Sequence, residues 1–181
     1  EQKIYYNANH DSLTGLTNRF YFTEKLIGSI SGDYFNLDNK LKISVVYFDI
    51  DNFNNINNTY GLTFGDKVLV TLAKKFDYLN VHYTLSRLDG DGFGVLIHYH
   101  SQHQLIKEVD KINELLVKPL DISGTSIKCN ISIGISSYNY KPSKYATQTV
   151  LSTSKKLIRQ AAQAMRTAKK LQDKNYLFFN K

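Results

Sequence analysis

Two rhythms of apolar and polar residues run along this chain. Residues 42–49 hold Ile43, Val45, Val46, Tyr47 and Phe48, a nearly continuous apolar run that predicts a buried central strand. Residues 83–88 and 93–99 predict two further strands joined through Asp89 to Gly92. Asp-Gly favours a two-residue hairpin because type I′ turns need positive φ at both central positions. A second hairpin is expected around Ser123-Gly124, from 120–122 to a strand that starts near 126 and runs on to 137. A last strand is expected at 176–179.

The helical rhythm lies between these strands. Asn18 is a plausible N-cap for a helix over 19–30. Val68, Leu69, Leu72, Ala73 and Phe76 share one face of a helix expected over 64–76. Leu105, Ile106, Val109, Ile112, Leu115 and Leu116 do the same over 102–117, which Pro119 stops. Leu157, Ala161, Ala164, Ala168 and Leu171 form a stripe over 149–172. Residues 1–10 read as the end of a linker helix, 11–181 as a single domain, 31–40 as a polar loop and 52–60 as a polar stretch. The fold class expected is α+β, with a central, mostly antiparallel five-stranded sheet flanked by helices.

Composition narrows the partners. The 181 residues suffice for one domain with a substantial core. The net charge of +7 favours anionic partners such as nucleotides. The basic face of the last helix (Lys155, Lys156, Arg159, Arg166, Lys169, Lys170) reads as a solvated face with cations favoured at the helix C-terminus. No aromatic stacking pattern accompanies it, so a nucleic-acid partner is not expected. The single Cys129 excludes an internal disulfide and suits a reducing, cytoplasmic compartment. No apolar run reaches membrane-spanning length, and no signal-peptide pattern opens the chain. A start at Glu1 suggests one domain of a longer protein, with an upstream sensor region and a possible membrane tether there.

Carboxylates at strand ends and in turns carry the candidate chemistry. A calcium loop at Asp49-Ile50-Asp51 fails, because Phe53 stands where a third oxygen ligand belongs and Asn54 where glycine belongs. Magnesium needs fewer protein ligands and takes the rest from water and phosphates, so Asp49 plus Asp91 would suffice if their strands are neighbours. Asn57 and Asp66 offer donors and acceptors suited to a purine edge. Asp66 also reads simply as an acid at a helix N-terminus.

Several separated motifs then resemble one family. Asp11-Ser12-Leu13-Thr14-Gly15-Leu16-Thr17-Asn18-Arg19 resembles the D-x-LTGL-x-NR opening of GGDEF domains, the diguanylate cyclase family. Asp49-Ile50-Asp51-Asn52-Phe53, Ile56-Asn57, Gly61 and Gly65-Asp66 resemble its D-x-D segment, Ile131 to Ile135 its S-x-G strand, and Ala168-Lys169 its last helix. The resemblance implies a nucleotidyl-cyclase palm-like fold. It implies magnesium on Asp49, the Ile50 backbone and Asp91, and guanine on Asn57 and Asp66. The triphosphate would meet backbone near Asn52 and Phe53, the Gly90 turn, and Lys169. In active members two GTP-loaded domains face each other, and the 3′-oxygen of one nucleotide attacks the α-phosphate of the other, with metals and positioning supplying most of the catalysis.

The departures from the family are equally specific. The signature is Asp89-Gly90-Asp91-Gly92-Phe93 rather than GGDEF. Asp89 adds a charge expected to repel phosphate unless a cation intervenes, and Gly92 removes a glutamate associated with the metal. Asn54, Leu62 and Asp173 stand where lysine, histidine and arginine are usual. The R-x-x-D motif of the inhibitory product site falls on Asn80-Val81-His82-Tyr83 and is absent. The expectation is a degenerate GGDEF domain in cyclic di-GMP-type signalling, without turnover, that senses GTP or binds a protein partner, with Asp91 as a vestigial catalytic residue. The alternative is an active homodimeric cyclase.

Overall fold

The computed structural model describes residues 2–32, 41–78, 83–139, 147–171 and 175–180. Much of the expected 31–40 loop, most of Asn80-Val81-His82-Tyr83, and Asp173 lie outside the described residues.

The chain runs α1 (Gln2–Asn9), β1 (Thr17–Asn18), α2 (Arg19–Ser31), β2 (Lys42–Ile50), α3 (Phe53–Tyr60), α4 (Leu62–Lys75), β3 (Thr84–Asp89), β4 (Gly92–Tyr99), α5 (Gln102–Leu116), β5 (Leu120–Ile122), β6 (Thr125–Ile127), β7 (Ile131–Asn139), α6 (Thr147–Leu171) and β8 (Tyr176–Phe178). The sheet has six strands, not five, in the order β1-β3-β4-β2-β7-β8. Its three central pairings are antiparallel and its two outer ones parallel. The extra strand is two residues long, too short for any periodicity, and is fixed by Thr17 Oγ1 donating to the Leu85 carbonyl.

The expected strand from 126 to 137 is split. β6 pairs with β5 in a small separate sheet, while β7 joins the main one. The break lies where the chain crosses between sheets, and there the Asn130 carbonyl accepts the Asp51 N–H. The polar stretch after β2 is helix α3. Its sequence FNNINNTY has weak helix propensity, yet Phe53 and Ile56 lie three apart and pack against the core. At α2, Asn18 caps the helix as expected, its side chain accepting from the Tyr21 N–H.

The core has two layers divided by the sheet. Phe48, Phe93, Val68, Leu72, Leu105 and Ile112 lie in one; Phe22, Leu26, Val45, Leu96, Leu157 and Met165 in the other. Phe48 stacks on Phe93 with ring centroids 5.2 Å apart, so Phe93 is a core residue of the hairpin. Helix α6 approaches β7 closely at Gly134: a Cβ there would lie 2.0 Å from the Ala161 carbonyl oxygen and 2.1 Å from the Met165 nitrogen. A backbone-to-backbone seat of this kind admits only glycine, and it holds α6 against β7.

Candidate functional site

Asp49 is the next-to-last residue of β2, the strand that lies between β4 and β7. Gly92 faces it across β4 and Ser132 across β7. One helical turn beyond the Gly134 seat, α6 presents Lys169, whose Nζ lies 3.2 Å from Asp49 Oδ1 and 3.5 Å from Asp51 Oδ1. Ser132 Oγ donates to both Asp51 oxygens at 2.9 and 3.0 Å. The serine and glycine of the S-x-G stretch in β7 therefore have separate tasks. Gly134 admits the helix that carries the ammonium, and Ser132 aims the second carboxylate.

Burial raises the Asp49 carboxyl to about 6 despite the pull of Lys169, and the nearby Asp91 and Asp51 charges add to the rise. Burial alone would lower the Lys169 ammonium, but Asp49, with Asp51 and Asp91, overrides it and the net shift is upward. The arrangement is an acidic centre under-supplied with positive charge. Asp51, left out of the expected metal set, belongs to this centre because it shares the lysine with Asp49.

The hairpin turn differs from the expected one. Positive φ occurs at Gly90 (φ 49°) and not at Asp91, and the β3–β4 register shifts between Arg87 and Asp89. Arg87 Nε donates to the Gly90 carbonyl at 2.9 Å, while its Nη1 pairs with Asp11 at 3.1 Å. Thr14 hydrogen bonds and Arg87 hold the Asp11 carboxyl below its usual range, against the opposing effect of burial.

Asp89 does not stand as an uncompensated charge. Arg19 Nη2 lies 2.8 Å from its Oδ2, and the Tyr47 hydroxyl donates to the same oxygen at 3.1 Å. The intervening cation that the sequence left open is Arg19. Burial, followed by the Asp89 charge, pushes the Tyr47 phenol well above its usual range, so it remains a donor.

The positions expected to meet a base lie on the α3–α4 pair. Asn57 lies directly over Gly65, where a Cβ would come 1.8 Å from Asn57 Oδ1. Phe53 opens α3, and its ring edge borders the same glycine. Asp66, next along α4, is exposed and lines a cavity of about 350 Å³ with Leu13, Thr63 and Lys67. Leu13 was not among the expected site residues; its position inside the D-x-LTGL stretch was the available signal. A second cavity, of about 620 Å³, is lined by Asp51, Asn52, Lys128, Asn130, Ser132 and Lys169, and Asn52 has a left-handed backbone (φ 55°).

Among the described residues no group of three or more His, Cys, Asp or Glu closes around a metal by itself. The donor chemistry nonetheless fits one hard cation. The Asp49 and Asp91 carboxylates and the Ile50 carbonyl are the oxygen donors that would hold magnesium, an ion that takes the rest of its shell from water and phosphates. Its chemistry there would be charge neutralisation of a bound phosphate. Among the described residues no helix is long and apolar enough to cross a membrane.

Comparison with known proteins places this geometry in context. The family profile described as "Diguanylate cyclase, GGDEF domain" matches residues 8–175. The cyclic di-GMP phosphodiesterase PdeR of Escherichia coli is 34% identical over 171 residues, 93% of this chain and 24% of that protein. The diguanylate cyclase TpbB of Pseudomonas aeruginosa is 31% identical over 136 residues, 74% of this chain and 31% of that protein. The chain thus spans about a quarter to a third of the length of these two relatives. A solved structure of the TpbB GGDEF domain superposes with a TM-score of 0.77 at 29% identity, covering 94% of each chain.

Proposed function

We propose, for a chain that belongs to the diguanylate cyclase GGDEF domain family, a GTP-binding module of cyclic di-GMP signalling that holds its nucleotide without condensing it. The observation that carries this reading is position 92. It lies directly across the sheet from Asp49 and bears no side chain, so no carboxylate extends the acidic centre on that flank.

In this reading Asp49, Asp91 and the Ile50 carbonyl hold magnesium. Lys169 and backbone near Asn52, Phe53 and Gly90 meet the phosphates, and Asn57 and Asp66 meet the guanine edge. Lys169 screens Asp49 and Asp51 and leaves them when phosphate and metal arrive. Residues 1–10 serve as the end of a linker from an upstream sensor region, and 11–181 form the responding domain. The output is contact with a protein partner or a second copy of the domain. Of the two relatives above, one is named a cyclic di-GMP phosphodiesterase and the other a diguanylate cyclase, which supports a place in cyclic di-GMP signalling.

The second reading is a working cyclase. It is favoured by the retained Asp49, Asp91 and Lys169 and by the 31% identity to TpbB. Incubation with GTP and magnesium followed by product chromatography separates the two. The first reading expects calorimetric GTP binding, weakened in Asp91→Ala, and no cyclic di-GMP. Cyclic di-GMP formation that disappears in Asp91→Ala overturns it in favour of the second.

A further inference from the structure

The empty position at 92 is not an open one. A Cβ on Gly92 would lie 2.3 Å from the Tyr47 hydroxyl, 3.0 Å from the Tyr47 ring carbon that bears it, and 3.0 Å from the Asp89 carbonyl oxygen. Tyr47 lies two residues before Asp49 on β2, so both side chains leave the same face of the sheet, and Gly92 faces Asp49. The phenol therefore fills the place beside Asp49 that a side chain at 92 would enter. Tyr47 is 7% exposed, and its hydroxyl is held by the Asp89 carboxylate at 3.1 Å. Asp89 is held in turn by Arg19.

We infer that Tyr47, Asp89 and Gly92 form one interlocked unit that closes the seat beside Asp49 and limits the acidic centre to a single divalent cation. The three positions are mutually dependent. The phenol needs a glycine at 92, and its hydroxyl needs an acceptor at 89, the carboxylate that Arg19 also pairs with. A carboxylate placed at 92 alone meets the phenol and cannot reach the space beside Asp49, whereas the same change with Tyr47→Leu opens the seat. The cation count rests on the functional reading above; the interlock does not.

Two measurements on the unaltered chain and its variants test this. The first needs no ligand. Gly92→Ala is expected to lower the melting temperature by roughly 5 °C in the presence of Tyr47 and by little in a Tyr47→Leu background. Equal losses in both backgrounds overturn the interlock. The second follows manganese uptake by electron paramagnetic resonance with a non-hydrolysable GTP analogue. The unaltered chain and Gly92→Glu are expected to take up one ion per chain, and Tyr47→Leu with Gly92→Glu two. Two ions in the unaltered chain, or one in the double variant, overturns the proposal. Absence of nucleotide binding defeats the functional reading and the cation count, and leaves the melting cycle to decide the interlock.

Discussion

The two flanks of Asp49 resolve charge in opposite ways. On the β7–α6 flank, Asp49 and Asp51 share Lys169, whose side chain is 33% exposed, while the acids are 17% and 20% exposed. On the β3–β4 flank, Asp89 pairs with Arg19 at half exposure on both sides. The first arrangement is short of positive charge in a partly buried place and is suited to receive another cation. The second is complete in itself and asks for nothing. An added acid in a signature turn is therefore no proof of a more negative site; what matters is whether a neighbour already answers it.

Substitutions should expose this contrast, beginning with the seat beneath the first flank. Gly134→Val forces α6 off β7 and is expected to cost roughly 3 kcal/mol or more in a denaturant titration, because the Cβ would meet backbone that has no rotamer to change. Lys169→Gln is expected to cost about 2 kcal/mol, since it leaves two partly buried carboxylates without their shared cation. Added magnesium should restore part of that loss.

Asp49→Asn moves stability the other way. A carboxyl whose native value is about 6 against 3.8 unfolded holds more protons in the folded state between those limits. Stability therefore falls as pH rises from about 4 to about 6. The amide should gain about 1–2 kcal/mol at pH 7 in metal-free buffer, and that gain should vanish below about pH 4 in thermal melts. The smallest change belongs to the self-sufficient flank. Arg19→Gln should cost only ~0.5 kcal/mol, and high salt should erase the difference. A larger loss for Arg19→Gln than for Lys169→Gln would reverse the contrast.

The central part of the fold was legible because its signals are local. β2 announces itself as an apolar run, α5 by its stripe, and α2 by Asn18. The parts that were not legible are held by partners distant in sequence. β1 exists through Leu85 and Ser86, nearly seventy residues away. α3 is an asparagine-rich stretch that packing, not propensity, makes helical. The same division holds at the site. Asp49, Asp91 and Lys169 are readable as motif positions, whereas the pairing of Asp89 with Arg19 and Tyr47 joins three stretches whose nearness only the folded sheet reveals. Asp51 was passed over because no sequence rule says that Ser132 will orient it.

Gly134 has a consequence for how the domain ages. Helix α6 touches β7 there through main-chain atoms, which every sequence shares. A substitution elsewhere in the core changes the size of a side chain, while the height of the helix at this point is set by main-chain atoms and stays fixed like a machinist's datum. The ammonium of Lys169 is then carried to the two aspartates at a distance that mutation of the surrounding core does little to alter.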